Sequence, residues 1–398
     1  MSQQLQEAYI VAATRSPIGK APRGMFRHTR PDDLLVSVLQ SALAQVPGLD
    51  PKTIEDAIVG CSFPEGAQGL NMARNAVLLA GLPNTIGGVT INRYCASGIT
   101  AVAMAADRIR VGQADVMIAA GAESMSMVPM MGFHPSVNMD VFKDENVGMA
   151  YGMGLTAEKV AQQWKVSREA QDQFALDSHL KAIAAQQRGD FDAETTPFEI
   201  ITRTPNLASG EIDLSRRTVN RDEGARADAN LAALAKLRPV FSAKGSVTAG
   251  NSSQTSDGAG ALILVSEKIL KQFNLTPLAR FVSFAVRGVP PEIMGIGPKE
   301  AIPAALKAGG LTQDQIDWIE LNEAFAAQAI AVIQDLGLDP AKVNPMGGAI
   351  ALGHPLGATG AIRSATVIHA MQRHKLKYGM VTMCVGTGMG AAGIFERM

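Results

Sequence analysis

Hydrophobic positions in this chain fall into short apolar runs separated by stretches of helical spacing. Residues 9–13 read as a first strand, and 32–44 as a helix with Leu34, Leu35, Val38, Leu39 and Leu43 on its apolar side. Residues 54–59 predict a second strand, 71–80 a second helix, and 115–120 a further strand of Val, Met, Ile and Ala. Between them, 87–94 reads as a short strand in which Val89, Thr90 and Ile91 follow a glycine pair. From Ser97 onward Ile99, Val102, Ala103, Ala106 and Ile109 recur at helical spacing, while Ala101, Met104 and Ala105 fill the other side. A helix apolar nearly all round is expected at the centre of the molecule. Strands alternating with helices predict an α/β fold with a mainly parallel sheet covered on both faces.

The pattern changes between Glu123 and about Ser246. Residues 125–154 are rich in Met and Gly with little periodicity. An amphipathic helix follows, with Ser167 as its N-cap, Leu176, Leu180, Ile183 and Ala184 as its stripe, and Gly189 at its end. Residues 202–228 are polar and charged. This reads as a long excursion from the core, either a binding surface or a solvated connection. The chain re-enters through a Gly/Ser stretch at 247–260 and a strand at 261–265. Alternation then resumes, with strands at 316–321 and 380–385 and helices at 323–336 and 358–374.

One short repeat gives this order a meaning. Residues 48–55 and 310–317 share Gly-Leu, then Ile and an acid at the same spacing, 262 positions apart. That offset carries position 95 onto Gly357, inside the glycine-rich loop that holds His354. The expected architecture is therefore two similar halves with the Cys95 and His354 loops in equivalent places. The first half would span 1–122, completed by 247–275; the excursion 123–246; and the second half 276–398.

Composition narrows the function classes. Hydrophobic residues make up 47% of the 398 and aromatics 5%, so the core is one of Ala, Val, Ile, Leu and Met. A net charge of −1 without a long basic run disfavours nucleic acid, although a local basic patch could still serve a phosphorylated cofactor. Three scattered cysteines exclude a disulfide framework and fit a reducing compartment. The first residues lack a signal-peptide pattern, the last are not a Ser-Lys-Leu address, and no apolar run spans a bilayer; a cytoplasmic location is expected. The cysteines and histidines show no metal-ligand spacing, so no metal is expected.

Three constellations could carry chemistry. Cys95 sits where a strand turns into a helix, where free amide groups would favour a thiolate; burial as a small hydrophobe explains it equally well locally. His354 lies among the glycines of 347–360 with Pro355 fixing the chain behind it, and reads as a base rather than a core residue. Cys384 precedes Val-Gly-Thr-Gly-Met-Gly, whose amides could face a developing oxyanion, or it is a structural thiol. Gly388, Gly390 and Gly393 match a dinucleotide fingerprint, but five residues remain after Gly393, too few for the helix and strand that site requires. Asn322, in Asn-Glu-Ala-Phe325, is either a helix N-cap or a residue that orients a water or carbonyl at the sheet edge.

Taken together, Asn92-Arg-Tyr-Cys-Ala-Ser-Gly98, Asn322-Glu-Ala-Phe325, Gly347 to Pro355 and Cys384-Val-Gly-Thr-Gly-Met-Gly390 resemble the thiolases over essentially the whole chain. Gly250-Asn-Ser-Ser253 and Leu237-Arg-Pro239 fit as well. The resemblance implies the five-layered α-β-α-β-α thiolase fold and no permanently bound cofactor, with coenzyme A as co-substrate. It implies Cys95 as the acyl-carrying nucleophile, His354 as the group that activates its thiol, and Cys384 as acid/base at the substrate α-carbon. Asn322 would hold a water that polarises the thioester oxygen with His354, and the amides of Cys95 and Gly386 would form a second oxyanion hole. Ser253, Arg226, Met153 and Phe325 are the implied contacts of coenzyme A and its pocket. Short-chain biosynthetic thiolases carry a histidine before the Met-Gly motif, where this chain has Gly152. Residues 250–257 and 289–297 look more like degradative 3-ketoacyl-CoA thiolases. A homodimer or homotetramer is implied too. The alternatives are a short-chain acetoacetyl-CoA enzyme, a ketoacyl synthase with a second histidine in place of Cys384, and a non-catalytic lipid carrier.

Overall fold

The computed structural model describes residues 5–398. Its strands are β1 Tyr9–Arg15, β2 Gly19–Lys20, β3 Asp56–Gly60, β4 Val89–Ile91, β5 Val116–Ser124, β6 Phe198–Pro205, β7 Ile212–Val219, β8 Ser256–Val265, β9 Ala279–Gly288, β10 Trp318–Leu321, β11 Tyr378–Val385 and β12 Met389–Arg397. The helices are α1 Pro31–Ala44, α2 Met72–Leu79, α3 Ser97–Arg110, α4 Met153–Gln163, α5 Arg168–Arg188, α6 Leu231–Ala235, α7 Glu267–Phe273, α8 Gly297–Gly309, α9 Ala326–Leu336, α10 Ala349–Leu352 and α11 Leu356–His374.

Strand pairing runs β10-β11-β12-β9-β1-β8-β5-β3-β4, with β2 on the side of β8. The mainly parallel sheet expected from the alternation is not what forms. Only β3 with β4, β3 with β5 and β10 with β11 are parallel among the strand pairs. β11 and β12 are joined by a three-residue turn and must run antiparallel, and β8 returns from the excursion in the opposite sense to β5.

The layers follow from which face each side chain takes. On β8, Leu262 and Leu264 point to a central core shared with α3 and α11, whereas Ala261, Ile263 and Val265 point to an outer core under α1 and α2. On β12, Ala391 and Phe395 join the same central core, while Ile394 and Ala392 face a third core under α8 and α9. Period-two alternation thus places helices on both outer faces and the α3–α11 pair between two half-sheets, giving five layers.

The duplication is visible in the element starts. The short helical turn at Gln313–Gln315 and strands β10 and β11 each begin 262 residues after their counterparts at Pro51–Thr53, β3 and β5. Val343 pairs parallel with Ile319 of β10, as β4 pairs with β3 in the first half. Helix α3 corresponds to α11, and the turn before each carries Cys95 or His354.

Other expectations are corrected. Met104 of α3 is 42% exposed, so that helix keeps one solvent-facing edge. In α5 the predicted stripe is not the buried face: Leu180 is 53% exposed, and Gln171, Asp172, Ala175, Ser178, His179, Ala182 and Ala185 are buried instead. The helix packs against polar partners, with Asp172 accepting from Asn251 and Ser178 donating to Glu323. Its Ser167 cap and left-handed Gly189 are as expected. The polar stretch within 198–219 is a two-stranded hairpin, β6–β7. Gly388, Gly390 and Gly393 lie in or just before strand β12, not at the start of a helix.

The excursion is anchored to the core by a buried ion cluster. Arg15 Nε donates to Glu194 at 2.5 Å, and its Nη1 and Nη2 donate to Asp222 at 2.7 and 3.0 Å.

Candidate active site

Cys95 lies in a single helical turn, Tyr94–Ala96, between β4 and α3. The elbow is tight: Tyr94 takes φ of 43°, a left-handed conformation that non-glycine residues seldom adopt. Side chains at the expected motif positions brace it. Asn92 accepts from the Tyr94 amide at 2.8 Å, and Ser97 accepts from the Arg93 amide while donating to the Tyr94 carbonyl.

The amides of Cys95 itself and of Gly386 lie near enough to the Cys95 sulfur to favour its anion. Gly386 opens the β11–β12 turn, in which Thr387 and Gly388 take left-handed φ values of 63° and 85°. That turn brings Gly386 beside the thiol. The amides expected to favour the thiolate do lower the Cys95 pKa, but at this half-buried side chain they are outweighed. Burial pushes the Cys95 thiol up to about 12, the negative charge of Glu123 adds to this, and the two amides only partly oppose it. Cys384, fully buried at the end of β11, is also raised, first by burial and then by the proximity of Cys95.

His354 is buried, and burial followed by the Arg363 charge lowers its pKa to about 3, so the ring is neutral. Its Nδ1 lies 2.7 Å from Thr359 Oγ1 and its Nε2 lies 3.3 Å from Asn322 Nδ2. A neutral ring that donates from Nδ1 to Thr359 leaves Nε2 as the basic nitrogen. Thr359, five residues on and one turn into α11, escaped the sequence reading; its place after a histidine before a helix was the available signal. The His354 amide donates to Gln254 O at 3.2 Å and Ser256 Oγ at 3.1 Å, so the first half fixes this loop of the second.

Asn322 is not a helix cap. Helix α9 begins at Ala326 with Phe325 as its N-cap residue. Asn322 instead receives its place from β11, its amide donating to Thr382 O at 2.9 Å, and its buried Oδ1 has no partner among the described residues. The next residue, Glu323, is a buried carboxylate that accepts from Ser178, Asn344 and the Ile350 amide, tying this loop to α5 and α10.

The remaining positions divide. Cys384, Ala324, Phe325, Met294, Val247 and Ala157 form one apolar cluster with Met153 packed on it. A Cβ at Gly386 would stand 3.9 Å from Met153 Sδ and 3.5 Å from the Tyr94 ring, so these side chains wall the space beside the thiol. Ser253 is half-buried and donates its amide to Ala324 O at 2.9 Å. Arg226 is not drawn into the centre: its guanidinium is exposed and paired with Asp228, while its amide donates to His179 Nδ1 at 3.2 Å.

Two duplicated α/β halves that bring Cys95, Cys384, His354 and Asn322 to one seam define the class, a thiolase-fold acyltransferase. The chain belongs to the thiolase family: the Thiolase, N-terminal domain matches residues 8–268 and the Thiolase, C-terminal domain residues 275–397. It is 49% identical over 393 residues to a 3-ketoacyl-CoA thiolase of Bacillus subtilis (strain 168), covering 98% of this chain and 100% of the relative. It is 46% identical over 392 residues to 3-ketoacyl-CoA thiolase B, peroxisomal, of Mus musculus, covering 98% and 91%. Human mitochondrial 3-ketoacyl-CoA thiolase in complex with CoA superposes with a TM-score of 0.88 at 36% identity over 100% of both chains. The Bacillus anthracis acetyl-CoA acetyltransferase superposes with 0.90 at 37%, again over 100% of both. No described helix is long and apolar enough to cross a membrane.

Proposed function

We propose that the seam performs thiolysis of 3-ketoacyl-CoA through an acyl-cysteine. The reaction catalysed is the cleavage of a 3-ketoacyl-CoA by coenzyme A to acyl-CoA and acetyl-CoA, as in β-oxidation, and it is reversible as a Claisen condensation. The names of the sequence relatives support it. In the proposed mechanism Cys95 Sγ attacks the keto carbon while its proton passes to His354 Nε2. Both groups rest neutral, so the transfer creates a thiolate–imidazolium pair, and the mutual attraction of that pair together with the nearby amides must offset the cost of burying it. Cys384 protonates the departing acetyl-CoA carbanion, and the thiol of a second coenzyme A takes the acyl group from Cys95. The oxygen charge that develops at the keto carbon is met by the Cys95 and Gly386 amides, and Asn322 and His354 face the thioester oxygen.

The observation that carries this reading is that Asn322 and Thr359 hold a buried His354 at the seam where α11 and β11 pack on the Cys95 turn. Ser253, Met153 and Phe325 are proposed to line the pantetheine and acyl pocket, and Arg226 to meet the nucleotide end. The segment 123–246 supplies much of this coenzyme A surface. The lack of a histidine at Gly152, where short-chain enzymes place one, supports the degradative reading. The likeness to the B. anthracis acetyltransferase keeps the short-chain reading in view. A homo-oligomer is proposed from β4, whose outer edge is unpaired among the described residues.

Incubation with an acyl-CoA followed by digestion and mass spectrometry should place the acyl group on the Cys95 peptide, and Cys95→Ser should abolish thiolysis. An unlabelled Cys95 peptide together with an active Cys95→Ser enzyme would refute the mechanism. Rates across a 3-ketoacyl-CoA series should stay high beyond four carbons; a sharp preference for acetoacetyl-CoA would overturn the degradative assignment.

A further inference from the structure

Glu123, the penultimate residue of β5, is a buried carboxylate that is given no part in the chemistry above. Its Oε2 accepts from the Ser62 amide at 2.7 Å and from the Gly357 amide at 2.9 Å. Its Oε1 accepts from Gln68 Nε2 and, at longer range, from the Phe63 amide and the Cys61 thiol. Ser62 follows β3 in the first half; Gly357 is in the first turn of α11 in the second, three residues after His354. One oxygen therefore spans the two halves beside the site. The contact is close on every side: a Cβ at Gly357 would stand 2.6 Å from Cys61 Cα and 2.8 Å from Glu123 Oε2, and one at Gly121 would stand 2.6 Å from Gly357 O.

A carboxylate buried at a helix N-terminus, satisfied by several amide donors, costs desolvation that an apolar residue would avoid. What it provides in return is a directional link, since its oxygens need the two amides at fixed places. We propose that Glu123 is a positioning residue, which fixes the start of α11 to the first half and so sets His354 against Cys95. The proposal rests on the assignment of His354 as the base of the reaction. It requires no contact between Glu123 and substrate.

The groups facing this carboxylate also give it an electrostatic signature. Cys61 and Cys95 are the titratable groups facing it, and its charge raises the thiols of both. Cys384 lies beyond Cys95, and Arg363 acts on His354. Glu123→Gln keeps an acceptor oxygen for Ser62 and Gly357 but removes the charge. Glu123→Ala removes both, and Glu123→Asp keeps the charge on a side chain one methylene too short to reach both amides.

Thiolysis kinetics, thermal midpoint and the pH dependence of Cys95 alkylation by iodoacetamide should be measured for all three, with His354→Ala as the control. Glu123→Ala and Glu123→Asp are expected to lower kcat at least ten-fold with KM within two-fold. Glu123→Gln should recover most of that loss while moving the Cys95 alkylation profile to lower pH. If Glu123→Ala does not fold, Glu123→Asp decides the matter. A kcat within two-fold of wild type in folded Glu123→Asp, or an equal loss in Glu123→Gln and Glu123→Asp, would overturn the positioning role. Should His354→Ala retain full thiolysis, the assignment of the base fails instead, and the two failures are distinguished.

Discussion

Substitution of Gly360 by alanine tests whether the α3–α11 crossing sets the catalytic geometry. Gly360 lies in the first turns of α11, six residues after His354, and it packs on the first turn of α3, four residues after Cys95. A Cβ built there would stand 2.1 Å from Ile99 N, 2.9 Å from Gly98 C and 3.0 Å from Ile99 Cα. All three are backbone atoms, so no rotamer change can clear them. Ordinary contact for a Cβ begins near 3.4 Å, so the helices must separate by about 1 Å or more. Overpacking of this kind costs about 1–3 kcal/mol, and a rigid backbone neighbour puts this site at the upper end. A displacement of about 1 Å between reacting groups can cost about 100-fold in rate. The expected result is a fall of several degrees in melting midpoint and a drop in kcat of one to two orders of magnitude, assayed well below the variant's midpoint. Gly48→Ala, whose Cβ would meet only Phe273 O at 3.6 Å, is the matched control and should be neutral. A Gly360→Ala enzyme with midpoint within 1 °C and kcat within two-fold of wild type would show that the crossing does not set the geometry.

Three further outcomes are expected. Gly386→Ala should fold normally, because its Cβ reaches only ordinary contact with Tyr94 and Met153, yet thiolysis should fall about ten-fold or more as the methyl group intrudes beside the proposed oxyanion donor; unchanged kcat and KM would remove Gly386 from the proposed site. Arg15→Met should lower unfolding free energy by about 3–5 kcal/mol in urea titrations, since it strands Glu194 and Asp222 as buried, unpaired carboxylates; a loss below about 1 kcal/mol would contradict the clamp. The lowered pKa of His354, about 3 against an ordinary 6.5, means that the unfolded chain binds the extra proton first as pH falls. His354 therefore costs nothing above pH 6.5 and removes up to about 1.4 kcal/mol of stability per pH unit between 6.5 and 3. His354→Asn should lack that part of the acid dependence, and parallel stability curves for the two proteins would rule it out.

The sequence pattern located what depends on local order. Motifs around Cys95, His354 and Cys384 and the 262-residue repeat were legible because each is a short run whose turns and spacing are written in adjacent residues. What stayed hidden depended on partners far along the chain. The buried face of α5 is polar because Glu323, Asn251 and Arg226 meet it, and none of these is near it in sequence. The antiparallel return of β8 is set by where the excursion ends. Cys95 reads either way locally for the same reason: a helix start is visible in adjacent residues, whereas the desolvation and the Glu123 charge that oppose its amides come from folding.

The division of labour between the halves makes the proposed active site an interface within one chain. Cys95 comes from the first half and His354, Asn322 and Cys384 from the second, across helices whose glycines interlock. The only covalent link between β8 and β9 is α7 with the short segment to Leu278. Cutting the chain at Leu275 should yield two fragments, each inert, that regain thiolysis on mixing with second-order kinetics. The enzyme could then serve as a split reporter whose turnover counts the encounters of two fused proteins.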